Sequence, residues 1–103
     1  MNLSQKDWSE KLEQDADAVI LDVRTPEEWR EGIIPNALQI DIYKGQGFIY
    51  EVDALDKSKH YYVYCKAGGR SAQACSIMSQ LGFENTDNLM GGFMEWNGEV
   101  VLP

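Results

Sequence analysis

The sequence predicts an α/β domain in which a small parallel β-sheet is flanked by helices on both faces, and three observations carry that prediction. The run at residues 18–23 (AVILDV) is almost continuously apolar, as a strand covered on both faces requires. A second β-prone run, Tyr61-Tyr62-Val63-Tyr64, passes directly into a glycine-rich turn and then a helical pattern. Between the strand-like runs lie segments with helix signals, the arrangement that right-handed strand–helix–strand crossovers produce.

Each element follows in chain order. Ser4 is placed to cap a helix over residues 5–14, where Trp8 and Leu12 share one face at a spacing of four. Residues 18–23 form the first strand. Thr25-Pro26-Glu27-Glu28 combines an N-cap threonine, a proline at the first helical position and a glutamate at the third, so a short helix runs through Trp29 and Arg30 until Gly32. Residues 37–42 read as a second strand, Lys44-Gly45-Gln46-Gly47 as a turn, and residues 48–55 as a helix. Residues 61–65 make a third strand, 71–81 a helix and 86–90 a fourth strand. Gly91-Gly92 then leads to a last helix containing Trp96. Trp8, Trp29 and Trp96 are spaced as helical packing residues. Asp22 and Arg24, after a buried strand, read as structural groups that pair with each other or with nearby backbone. No internal repeat, low-complexity segment or long linker interrupts the pattern.

The 103 residues, 44% of them hydrophobic, suit one domain over residues 1–103 with one core and no need of metal or disulfide staples. The first residues are charged and amphipathic, and no run approaches the length needed to span a bilayer, so the expected location is the cytoplasm. The formal net charge of −8 and the scattered Lys and Arg disfavour nucleic acid and anionic membrane as partners. Cys65 falls in a loop and Cys75, ten residues on, about one turn into the next helix. At about 1.5 Å rise per residue their sulfurs stand too far apart for a disulfide. Nothing implies a metal or organic cofactor: there is no CxxC pair with a second ligand group, and CKAGGRS lacks the GxxxxGK[ST] pattern of a P-loop.

Chemistry concentrates at Cys65. It stands where a strand gives way to Lys66-Ala67-Gly68-Gly69-Arg70-Ser71 and a helix. Unpartnered amides at a helix start point outward and the aligned peptide dipoles add positive potential there, so a sulfur at that turn is biased toward thiolate. Gly68 and Gly69 allow a short loop to curl around the sulfur, and Lys66 and Arg70 add two cations. Thiols in such settings ionise at roughly pH 3.5–7.5 instead of about 8.5. His60, the sole histidine, lies five residues earlier on the same strand, some 16 Å away at about 3.3 Å per residue. A Cys–His dyad is therefore excluded, and His60 reads as a solvated residue at the strand start. Cys75 shares helical spacing with Met78 and reads as core.

Four segments in order resemble the single-domain rhodanese family over nearly the whole chain. They are Leu21-Asp22-Val23-Arg24 with Pro26-Glu27-Glu28-Trp29, then Gly32-Ile33-Ile34-Pro35-Asn36-Ala37 in place of the GHIPGA segment, then Cys65 to Ser71 as the active-site loop, and Leu89-Met90-Gly91-Gly92 with Trp96 as the closing LxGGxxxW. Ile33 replaces the usual histidine and Asn36 the second glycine. The resemblance implies a sulfurtransferase. The Cys65 thiolate takes the outer sulfur of a small anionic donor such as thiosulfate, releases sulfite and holds a persulfide, which a thiol or cyanide acceptor then relieves. It also implies Lys66, Ala67, Gly68, Gly69, Arg70 and Ser71 as the anion-binding loop, with Lys66 placed to attract the donor. A second reading is a carrier that relays sulfur between protein partners with little small-molecule turnover. The rhodanese-like phosphatases and arsenate reductases have a loop one residue longer, Cys-x5-Arg. The four residues between Cys65 and Arg70 therefore favour a sulfur-sized guest over a phosphate-sized one.

Overall fold

The computed structural model describes residues 1–103. Five parallel strands form one sheet: β1 (Asn2–Leu3), β2 (Val19–Asp22), β3 (Leu38–Gln39), β4 (Tyr61–Tyr64) and β5 (Thr86–Leu89), in the spatial order β1-β5-β4-β2-β3. The helices are α1 (Gln5–Glu13), α2 (Pro26–Trp29), α3 (Gln46–Asp53) and α4 (Gly69–Gln80), with 3-10 turns at Ile42–Lys44 and Phe93–Glu95. The α/β class and the parallel sheet are as the sequence predicts.

Side-chain alternation explains the layers. All four residues of β4 are buried, because Tyr61 and Val63 point into one core and Tyr62 and Tyr64 into another. The larger core, with Leu21, Val23, Phe48, Val52, Ala74 and Met78, packs α3 and α4 on one face. The smaller core sets Trp8 of α1 against Tyr62, Tyr64 and Trp96 edge to face, with ring centroids 5.9, 6.4 and 5.7 Å apart. A strand flanked by helices on both sides has no face left for polar side chains, which is why β2 and β4 read as continuous apolar runs.

Helix α1 is capped by Ser4, whose hydroxyl accepts from the Asp7 amide at 3.2 Å. Helix α2 carries a complete capping box: Thr25 Oγ1 accepts from the Glu28 amide, and the Glu28 carboxylate accepts from the Thr25 amide at 3.1 Å. The Asp22–Arg24 pairing also holds. The buried guanidinium donates to both carboxylate oxygens, the shortest contact being 2.8 Å, and to the Gly32 carbonyl at 2.7 Å.

Several elements differ from the sequence expectation. The short pairing of Asn2 and Leu3 with β5 at the sheet edge was not anticipated. The strand expected over 37–42 is cut to Leu38–Gln39, because Asp41 caps a 3-10 turn by accepting the Tyr43 amide at 2.8 Å. Helix α3 begins at Gln46, directly after Gly45 at φ +58°. The last helix is only the turn Phe93–Glu95, and Trp96 is already extended. Its first amides are diverted: Phe93 N–H donates to the Cys65 carbonyl at 2.8 Å and Met94 N–H to that of Lys66 at 2.9 Å. His60 is not a solvated residue either. Its ring meets Asp87 Oδ2 at 2.6 Å and stacks on Tyr62 at 4.4 Å.

Candidate active site

Cys65 follows the last residue of β4, and α4 begins four residues later with Gly68 as its N-cap. The turn is tight enough to need Gly68 at φ +109°, a region that side chains with a Cβ resist. In this geometry the chain folds back over the sulfur. The Gly68 amide donates to Cys65 Sγ at 3.1 Å and the Ser71 hydroxyl at 3.3 Å. Burial pushes the Cys65 thiol up, but hydrogen bonds from the Ser71 hydroxyl and from the amides of Ser71, Gly68 and Ala67 outweigh it, and the net shift is downward. The Cys75 thiol, in the core, is pushed up by burial. Two cysteines on adjoining elements thus acquire opposite characters from their surroundings.

The closing segment holds this turn from behind. Gly92, at φ +59°, lies so close that a Cβ placed there would meet the carbonyl oxygens of Lys66 at 2.5 Å and Cys65 at 2.6 Å. Only glycine permits that approach, which lets Phe93 and Met94 donate to the two carbonyls. The Gly91-Gly92 pair is therefore part of the loop's framework, although it begins 20 residues beyond Ser71 in sequence.

Of the residues expected in the loop, Cys65, Ala67, Gly68 and Ser71 converge through the contacts described. Gly69 begins α4 with no atom within 4 Å of where a Cβ would stand. Lys66 is exposed. Arg70 is committed elsewhere: its Nη1 and Nη2 donate to the two carboxylate oxygens of Glu28 at 2.7 and 2.9 Å, and its guanidinium lies 5.5 Å from the centre of the Tyr43 ring. The Arg70 bonds, opposed by burial and helped by Thr25, lower the Glu28 carboxyl to about 2.

Three residues of this site were missed by sequence reasoning. Asn88 on β5 accepts from the Ser71 hydroxyl through Oδ1, and donates through Nδ2 to the Gly68 carbonyl at 3.1 Å and to Asn2 Oδ1 at 2.9 Å. Because the Gly68 carbonyl can only accept, the Asn88 amide is fixed in this orientation. The Ser71 hydroxyl has one proton, and Cys65 Sγ, Asn88 Oδ1 and the Gly68 carbonyl compete for it; a charged thiolate is the strongest acceptor of the three. The available signal was the polar triplet Thr86-Asp87-Asn88 inside a strand, since buried polar side chains need partners. Sequence reasoning places Glu28 in the helix start and in the Pro26-Glu27-Glu28-Trp29 segment but gives it no role at the loop, and Tyr43 falls between the expected strand and turn.

The largest cavity, 640 Å³, lies on the α1 side and is lined by residues such as Leu12, Ile34 and Trp96, none of them in the loop. A smaller one of 290 Å³ adjoins the loop at Ala67, Gly68, Asn88 and Met90. The hydrogen-bonded sulfur, not cavity size, marks the candidate site. No group of three or more His, Cys, Asp or Glu side chains is arranged to hold a metal ion, and no helix is long and apolar enough to cross a membrane.

Comparison with known proteins gives matches over nearly the whole chain. The profile of the Rhodanese-like domain matches residues 4–99. YtwF of Bacillus subtilis, proposed to be a sulfurtransferase, is 42% identical over 92 residues, covering 88% of this chain and 84% of its own. A sulfurtransferase of Allochromatium vinosum is 32% identical over 94 residues, covering 91% and 85%. Among solved structures, a rhodanese-related protein of Thermoplasma volcanium superposes with a TM-score of 0.82 at 32% identity, covering 99% of this chain and 98% of that one.

Proposed function

The chain belongs to the rhodanese-like domain family, and from that premise we propose that it is a sulfurtransferase working through a persulfide on Cys65. The Cys65 thiolate attacks the sulfane sulfur of a donor such as thiosulfate, the S–S bond of the donor breaks, and sulfite departs with the bonding electron pair. A thiol or cyanide then attacks the outer sulfur of the persulfide and returns the thiolate. The observation that carries this reading is the convergence of loop amides and the Ser71 hydroxyl on one sulfur at the end of a central strand. Such donors stabilise thiolate and persulfide alike without reorganising during the reaction, and the covalent intermediate divides the transfer into two easier steps.

Lys66 is exposed and follows Cys65 directly in sequence, a cation open to the approaching donor, while Arg70 is held against Glu28. The sulfur donor and the acceptor are the partners this chemistry requires. The expected result in an assay with thiosulfate and cyanide is catalytic formation of thiocyanate and sulfite by the wild-type protein and none by Cys65→Ser. Equal turnover by the two proteins would show that another group carries the sulfur.

A further inference from the structure

Glu28 is the most heavily engaged surface-facing carboxylate near the loop. It accepts from the Thr25 amide at 3.1 Å, the Thr25 hydroxyl at 3.0 Å, and Arg70 Nη1 and Nη2 at 2.7 and 2.9 Å. The Arg70 and Glu28 side chains are only 19% and 22% exposed, so their pairing is not that of two solvated surface ions. With its end-on fork taken by a carboxylate and its guanidinium carbon 5.5 Å from the Tyr43 ring centre, Arg70 does not present that fork to a bound anion. Together, the Cys65 thiolate and Glu28 balance Arg70 and Lys66, leaving no net positive charge at the loop, within a chain of net charge −8. A dianion approaching a thiolate there gains no net attraction. The amides around Sγ are unaffected, and they suit a sulfur atom of low charge.

We propose that Glu28 is a specificity-determining positioning residue which, by occupying Arg70, makes the Cys65 loop prefer an organic persulfide, R–S–SH, to a dianionic sulfur donor. This rests on the sulfur-transfer reading and narrows its donor class. In the favoured step Cys65–S⁻ attacks the terminal sulfur of R–S–SH. The new Cys65–S bond forms as the donor S–S bond breaks, R–S⁻ leaves with the electron pair, and Cys65–S–SH keeps the proton. The donor enters uncharged at its sulfurs and R–S⁻ carries the thiolate's one charge away, whereas thiosulfate brings two charges to the thiolate and releases sulfite with two. Glu28 touches no reacting atom; it acts through Arg70.

The test compares kcat/KM for thiosulfate and for cysteine persulfide in the wild type, Glu28→Gln and Glu28→Asp. Gln still accepts from Thr25 but lacks the charge, while Asp keeps the charge. Glu28→Gln is expected to improve thiosulfate use roughly tenfold, chiefly through KM, and to leave persulfide use within about twofold. Glu28→Asp is expected to keep the wild-type donor ratio. An unchanged ratio in Glu28→Gln, or an equal fall with both donors, would overturn the role of Glu28. If Glu28→Gln does not fold, the wild type decides: a persulfide preference of roughly tenfold that narrows as salt is raised supports the proposal, and a thiosulfate preference or a salt-independent ratio overturns it. Sulfur uptake from neither donor would instead overturn the sulfur-transfer reading itself.

Discussion

At the scale of single residues, reactivity is decided by who donates to the sulfur. Cys65 and Cys75 are both buried, yet only Cys65 receives several hydrogen bonds; at Cys75 burial outweighs the single bond from Thr86 and raises the thiol. Ser71→Ala removes the hydroxyl and leaves the backbone in place. We expect its pH profile for alkylation of Cys65 by iodoacetamide to move to higher pH, while Cys75 stays inert throughout; a profile identical to wild type would mean that the amides alone set the thiolate. The loop cysteine, its glycines and Ser71 were legible in the sequence because helix starts and glycine turns have local signatures. Asn88 and the Arg70–Glu28 pair were not, since they join residues 17 and 42 positions apart, and a lone sequence does not record which side chains meet.

Among the elements, those set by local chemistry were read well and those set by competition were not. Thr25-Pro26-Glu27-Glu28 encodes its helix start within four residues, and the capping box forms as expected. Thr25→Ala should cost about 1 kcal/mol in chemical denaturation, and the loss should be larger if the Glu28 contact to Arg70 loosens with it. The segment after Gly91-Gly92 has the composition of a helix but surrenders its first amides to the Cys65 and Lys66 carbonyls, a tertiary demand that no local pattern reveals. Gly92→Ala tests this directly. A Cβ there overlaps two backbone oxygens and the φ of +59° is unfavourable, so sulfur transfer should fall steeply and the protein should lose about 1–3 kcal/mol of stability or more. Wild-type turnover in Gly92→Ala would mean that the loop holds its shape without this clamp. For comparison, Met78→Ala, deep in the larger core on α4, should cost about 2–5 kcal/mol by leaving a cavity, without selective loss of chemistry in the folded fraction.

At the scale of the whole molecule, an ionic cluster ties the N-terminal segment and α1 to β5. Asp87 on β5, nearly buried, accepts from Lys11 at 2.8 Å, meets His60 at 2.6 Å and lies 3.9 Å from the N-terminal amine. Burial works to raise its carboxyl, but the bonds from Lys11 and His60 outweigh that and hold it below the usual range. Glu28 is lowered to about 2. Both groups favour the folded state when ionised, so their stabilisation is complete above the unfolded carboxylate pKa of about 4 and is lost as pH falls through the folded values. Stability measured by urea should therefore drop between about pH 4 and pH 2. Asp87→Asn should be less stable than wild type at pH 7 and lose less on acidification; parallel pH profiles would contradict the role given to this carboxylate. The central claim, that Cys65 carries sulfur, is tested most directly by the mass of the intact protein after incubation with a sulfane-sulfur donor and removal of excess donor. A gain of one sulfur atom is expected, removed by cyanide and absent in Cys65→Ser; no gain in the wild type with either thiosulfate or cysteine persulfide, or the same gain in Cys65→Ser, would contradict sulfur transfer through Cys65.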